Sequence, residues 1–231
     1  MMRRLAIIPA RGGSKGVPGK NKKILNQKPL IYYSICAAKE SCMFDKVVVS
    51  TDDIEIAEIA KIYGAEVPFL RPDYLSGDNI SSDEVIRHAL EYYENEGEMF
   101  EYVCKLQPTS PLRTSDNIRM AIKELEASSF KAIVSVCECE HSPLWMGVLP
   151  SNLCMKDFMD KHLRETNRQE LPRFYRLNGA IYISEVDEFK KNGGFIGDNT
   201  IAYVMEQERS IDIDNELDFW IAEMVMQRLR V

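Results

Sequence analysis

Positive charge is in short supply: 29 lysines and arginines face 36 aspartates and glutamates, for a net charge of −7 over 231 residues. Such a surface repels polyanions, and no large basic face offsets it, which excludes nucleic acid and an anionic membrane as partners and leaves a small molecule. Paired metal spacing is missing among the six cysteines, Cys36, Cys42, Cys104, Cys137, Cys139 and Cys154. They read as reduced, mostly buried thiols of a cytoplasmic protein; the Cys137/Cys139 pair lacks the turn of a CxxC zinc site. A long apolar N-terminus is missing as well, because Pro9 and Arg11 interrupt MMRRLAIIPAR before it reaches signal-peptide or membrane-span length. The chain also has no internal repeat and no low-complexity linker.

What is there is an alternation of strand-like and helix-like segments. Apolar strands are expected over 5–10, 46–50, 66–70, 102–106 and 132–136, and helices over 29–40, 54–63, 81–95 and 116–127. The helix at 81 opens on Ser81-x-x-Glu84, the spacing of a capping box. Such a βαβα order predicts an α/β fold with a mostly parallel sheet covered by helices on both faces. The order breaks between about 140 and 175, read as an insertion, a small lobe or a dimer arm. Strands at 180–184, 200–204 and 211–214 and a closing helix from 216 complete the chain.

Four stretches sit where strands end, the edge at which ligands bind in open α/β sheets. The first is IIPARGGSKGVPGKN (7–21), in which Arg11, Lys15, Lys20, Lys22 and Lys23 crowd a glycine-bearing loop. It fails the Walker A template at Ser14 and Asn21 and contains no GxGxxG. It is either a phosphate cradle of another kind or a basic turn. The second is SIDID (210–214). In a strand Asp212 and Asp214 share one face, about 7 Å apart at Cα, and could converge on one hard cation such as magnesium; the alternative is a half-buried strand with a polar outer face. Together, a cationic loop and a carboxylate pair are what phosphoryl or nucleotidyl transfer requires. QPTSPLR (107–113) is a proline-stiffened loop offering Gln107 and Thr109. RFYRLNGAIY (173–182) carries Arg176 and Asn178 into a strand, where the arginine either forks to a substrate carboxylate or makes a surface ion pair.

These stretches, with LRPDYLSGDNISSD (70–83) and RQELPRFYRLNGAIYI (168–183), resemble in order and spacing the cytidylyltransferases that activate sialic acids, the CMP-N-acetylneuraminate synthetases. The likeness runs from residue 4 to about 220. It implies a Rossmann-like nucleotidyltransferase fold with a small inserted dimerisation lobe at about 140–175, a homodimer, and Mg2+-dependent reaction of CTP with a nine-carbon 2-keto acid sugar. It implies triphosphate contacts from Arg11, the amides of Gly12 and Gly13, Ser14, Lys15 and Lys20. Cytidine falls to Asn21, Arg71 and Ser82. The sugar falls to Gln107, Arg176 and Asn178, with Arg168 reaching in from the partner subunit, and the metal to Asp212 and Asp214. Lys20, Arg11 and Asp214 are the expected catalytic groups, with Asp214 or a metal-bound hydroxide as base. Two departures concern the sugar: EHSPLW (140–145) puts Trp145 where sialic-acid enzymes often carry lysine, and Gly194-Phe195 stands where many carry two aromatics. Legionaminic and pseudaminic acids therefore rival N-acetylneuraminate. A CMP-Kdo synthetase-like enzyme and a non-catalytic sugar-nucleotide binding module are the competing readings.

Overall fold

The computed structural model describes residues 2–14, 16–160 and 167–229. Strand β1 (Arg4–Pro9) is buried on both faces: Ala6 and Ile8 enter one core, Leu5 and Ile7 the other. That division follows from the two-residue period of a strand and makes β1 a central element. A short hairpin, β2 (Ile24–Leu25) and β3 (Lys28–Pro29), turns through Asn26 and Gln27, both at positive φ, as a two-residue hairpin turn requires. Then follow α1 (Leu30–Ser41), β4 (Lys46–Ser50), α2 (Ile54–Ile62), α3 (Ser82–Asn95), β5 (Tyr102–Lys105), α4 (Ser115–Glu126), β6 (Ala132–Glu138), β7 (Tyr175–Glu185), α5 (Val186–Asn192), β8 (Thr200–Val204) and α6 (Glu216–Leu229).

Six strands form one sheet in the order β4-β1-β5-β7-β6-β8. All run parallel except β7, which is antiparallel to both β5 and β6. Helices α1, α2 and α4 pack on one face through Ile31, Ile35, Ile56, Ile118 and Ile122; α3 and α5 cover the other through Ile86, Leu90 and Phe189. A third cluster seats α6 on the hairpin and α1 through Leu25, Leu30, Ile213 and Phe219. The expected α/β sheet between helices is present.

Four expectations need correction. Of the six cysteines, expected to be mostly buried, only Cys104 and Cys137 are, while Cys42 and Cys154 are exposed. Residues 66–70 are not a strand. Only Glu66 and Leu70 bridge to the β4 edge, and Pro68 between them has no N–H to donate to a ladder. Residues 211–214 are not a strand either: the Ile213 N–H reaches the Thr109 carbonyl at 2.8 Å, beside a proline-bracketed turn that offers no ladder. The capping box expected at α3 is replaced by a simple cap. The Ser81 side chain accepts from the Asp83 N–H, while the complete box lies at α4, between Thr114 and Asn117.

Between β6 and β7 the described residues form only short 3-10 turns, Pro143–Trp145 and Arg168–Glu170. Val148 is 92% exposed and Leu153 69%, so this insertion leaves apolar side chains outside the core.

Candidate functional site

The carboxyl ends of β1 and β5 open on one side of the sheet, and the loops that follow them, with residues 71–85 and Asp214, wall a cavity of about 390 Å³. Its lining includes Arg11, Ser14, Lys20, Asn21, Arg71, Ser82, Gln107, Thr109 and Asp214. Residues from four separate stretches of sequence thus meet at one edge, as the topology of an open α/β sheet directs.

The loop after β1 is held by its glycines and by two carboxylates. A Cβ on Gly12 would stand 2.9 Å from Asp53, and one on Gly16 would stand 1.8 Å from the Asp214 carbonyl oxygen. Gly13 has open space around it, leaving its backbone approachable. The Gly12 N–H donates to Asp52 Oδ1 at 2.9 Å, and the Arg11 guanidinium pairs with Asp78 at 2.7 Å. The loop's donors are thus met by carboxylates of the chain itself, an arrangement common to an anion cradle and to a basic turn. Lys20 hydrogen-bonds the Ile213 carbonyl, and its ammonium lies 3.8 Å from Asp214 Oδ1. The Asn21 amide donates to the Arg11 carbonyl at 2.9 Å and shapes the loop from inside. Lys22 and Lys23 point elsewhere, paired with Asp53 and Glu55 and with Glu216, so the basic cluster divides in space. Lys15 lies outside the described residues.

Arg71 is almost fully buried, its Nε 3.1 Å from Ser50 Oγ and its Nη2 on the Ser50 carbonyl. Burial pulls its pKa down to about 10, opposed by the charge of Asp52. The guanidinium is fixed at the cavity wall.

Asp212 and Asp214 keep the alternation expected of them although no strand forms. Ile213 between them is fully buried, Asp214 is exposed, and Asp212 is half-buried. Burial pushes the Asp212 carboxyl up, and Asp214 adds to this, against a hydrogen bond from Thr109 and the charges of Lys20 and Arg176. Its Oδ1 is buried without a hydrogen-bond partner. A costly, unpartnered carboxylate oxygen beside a second carboxylate fits a hard divalent cation.

Gln107 and Asp212 converge over Gly179, whose φ is +73°; a Cβ there would come 2.4 Å from Gln107 Oε1 and 3.1 Å from Asp212 Oδ2. Arg113, fully buried, supports this turn by donating to the carbonyls of Gln107 and Ala180. Arg176 makes a surface ion pair with Glu140 at 2.9 Å. Asn178 is placed away from the cavity: fully buried, its Oδ1 accepts from Ser135 at 2.6 Å and its Nδ2 donates to Ser210 at 2.8 Å. The backbone of Arg168 lies in the insertion, and its side chain lies outside what is described.

Sequence reasoning missed Asp52 and Asp78, which hold the loop donors, and Lys105, a buried lysine whose ammonium lies 2.9 Å from Ser82 Oγ. For Lys105 a signal existed, since a cation inside an otherwise apolar strand is out of pattern. For the two aspartates none did, because their partners are 40 and 67 residues away.

A parallel-rich sheet with a cationic loop and paired carboxylates at its edge defines a nucleotidyltransferase. The model of the cytidylyltransferase family matches residues 5–173, and the chain belongs to that family. It is 38% identical to an N-acylneuraminate cytidylyltransferase of Escherichia coli over 97% of its own length and 52% of that protein's. It is 36% identical to a CMP-N,N'-diacetyllegionaminic acid synthase of Legionella pneumophila, covering 98% of this chain and 97% of the other. A pseudaminic acid cytidylyltransferase of Campylobacter jejuni is 34% identical over 97% and 96% of the two chains. The chain therefore spans about half the Escherichia coli relative and nearly all of the other two. Among solved structures, a CMP:2-keto-3-deoxy-manno-octonic acid synthetase complexed with CTP aligns with TM-score 0.72 over 98% of this chain and 99% of that one, at 15% identity, a likeness of fold.

Proposed function

We propose that the chain joins CMP to a nonulosonic acid: CTP and a nine-carbon 2-keto acid sugar give the CMP-sugar and pyrophosphate. The observation that carries this reading is the meeting of Lys20 with Asp214, which sets a cation and a carboxylate side by side where the glycine loop ends. The sugar's anomeric hydroxyl attacks the α-phosphorus, the bond from that phosphorus to the bridging oxygen of pyrophosphate breaks, and the hydroxyl proton passes to a base. Arg11 and the open amide of Gly13 receive triphosphate oxygens, Arg11 exchanging Asp78 for phosphate. Lys20 offsets charge gathering on the transferring phosphate. Arg71 and Ser82 line the part of the cavity assigned to cytidine and Gln107 the part assigned to the sugar, while Arg176, which would leave Glu140 for the sugar carboxylate, stands outside the lining. Asp214, exposed and beside Lys20, is the base candidate this geometry favours.

Magnesium is part of the proposal. Asp212 and Asp214 would hold it, and the ion would supply charge neutralisation at the phosphates. Among the described residues no cluster of three ligating side chains forms, so phosphate and water oxygens would complete its shell, as is usual for this ion. The exposed apolar arm around Val148 and Leu153 supports a homodimer, and the acidic surface a cytoplasmic protein. No helix of the described residues is long and apolar enough to cross a membrane.

The test is pyrophosphate release from CTP and Mg2+ with N-acetylneuraminate, legionaminate, pseudaminate and Kdo in parallel. Release with a nine-carbon acid is expected. Release with Kdo alone would move the reading to the octonate enzymes, and CTP binding without release to a binding module.

A further inference from the structure

Lys105 ends β5 with its side chain 6% exposed. It stands directly opposite Tyr182 on β7, and its ammonium lies 4.2 Å from the centre of that ring and 5.0 Å from that of Phe195. Two of its polar contacts are to the first turn of α3: Ser82 Oγ at 2.9 Å and Asp83 Oδ1 at 2.7 Å. Asp83 in turn packs against Gly194, where a Cβ would stand 2.6 Å from Asp83 Oδ2, so this pair takes the space a side chain at 194 would need.

A lysine buried in this way is poor value for stability. Replacing a buried ion pair by apolar residues is commonly neutral or stabilising, and Val103, two residues before Lys105 on this strand, is apolar and fully buried. What the ammonium does provide is direction. Lysine carries only donors, so the Ser82 oxygen must accept from it, and the single hydroxyl proton of Ser82 is turned away from Lys105. Ser82 lines the cavity, and its hydroxyl donates to no protein group among the described residues. We propose that Lys105 is a positioning residue that fixes the Ser82 hydroxyl as a hydrogen-bond donor to an acceptor atom on the pyrimidine–ribose half of the bound nucleotide. This rests on the cytidylyltransferase reading of the cavity, and it makes recognition of the nucleoside depend on a residue that does not touch it.

Calorimetric titration of CTP into the full chain in Mg2+ tests it, with wild type, Lys105→Met, Ser82→Ala and the double variant. Each single change is expected to weaken CTP binding about tenfold, the loss when a charge-assisted bond no longer orients a donor, and the double variant to weaken it no further than either. Lys105→Arg should recover part of the loss. If Lys105→Met fails to fold, Lys105→Met/Asp83→Asn removes the stranded carboxylate and carries the same expectation. Unchanged CTP affinity in Lys105→Met, or losses that multiply in the double variant, would overturn the proposal. A wild type that binds CTP but releases no pyrophosphate with any sugar sinks the catalytic reading and leaves this coupling measurable.

Discussion

The carbonyl oxygen of Asp214 lies 1.8 Å from the point where a Cβ would stand on Gly16. This contact clamps the loop after β1 onto the carboxylate segment and sets the distance between Lys20 and Asp214. A backbone oxygen cannot swing aside as a side-chain tip can. Gly16→Ala is therefore expected to push the two segments apart, with a loss of about 1–3 kcal/mol in stability, as for overpacking elsewhere. Turnover should fall about a hundredfold, the scale of a misplacement of roughly 1 Å at a reacting centre. Thermal melts and pyrophosphate release on one preparation check both numbers; a fully active Gly16→Ala would mean that the clamp is irrelevant.

Asp212 predicts a stability change of opposite sign to its effect on activity. Burial raises its carboxyl above the unfolded value of 3.8, so across that window the folded chain binds more protons than the unfolded one. Stability then falls as pH rises through the window, and at neutral pH the penalty is present in full. Asp212→Asn removes the buried charge and should melt no lower than wild type without metal at pH 7. The upward shift in melting temperature that Mg2+ and CTP give together should largely vanish, and with it turnover. A variant that kept the full ligand-induced shift would take Asp212 out of the metal set.

Asn178 separates a scaffold role from a substrate role. Its amide joins Ser135 on β6 to Ser210 just ahead of the carboxylate pair, and all three side chains are fully buried. Asn178→Ala leaves the Ser135 hydroxyl without its acceptor, while Ser210 keeps the Glu206 carbonyl, at about 1–3 kcal/mol for the unsatisfied group. We expect a stability loss of that size, with KM for the sugar changed less than twofold in the protein that remains folded. A KM rise of tenfold or more with an unchanged melting curve would return Asn178 to the sugar site.

How much of this was legible beforehand depended on range. The parallel sheet was readable because each βα unit carries its own period: Ala6 and Ile8 against Leu5 and Ile7 divide between two cores as alternation demands. The cavity at the strand ends followed from the same topology. The alternation of Asp212, Ile213 and Asp214 was right while the strand assigned to it was wrong, because burial of Ile213 against α6 orients the segment without a ladder. Lys22 and Lys23 looked like Lys20 in sequence and differ from it only through Asp53, Glu55 and Glu216, partners that no local pattern announces. The partners of Asn178 were hidden for a related reason, since a strand residue beside Arg176 has an equal claim to the pocket until the side on which Ser135 and Ser210 lie is known.

The insertion between β6 and β7 carries the last prediction. Val148 is 92% exposed, Leu153 69%, Met146 58% and Met155 57%, a density of bare apolar side chains that a chain acting alone does not favour. The arm is nonetheless shaped: a Cβ on Gly147 would stand 1.9 Å from the Phe158 carbonyl oxygen, so its two limbs are in backbone contact. A shaped apolar projection is suited to dock on a second copy of the chain. Val148→Asp/Leu153→Asp leaves every cavity residue in place but puts two carboxylates where an interface would be dry. Sedimentation equilibrium should then show a dimer in wild type and a monomer in the variant at equal concentration. If Arg168 completes the partner's sugar site, KM for the sugar should rise about tenfold or more on dissociation while CTP affinity holds, because the nucleotide half of the cavity is built from one chain. A variant that stays dimeric would place the interface elsewhere, and a monomer with unchanged KM would remove Arg168 from the site across the interface.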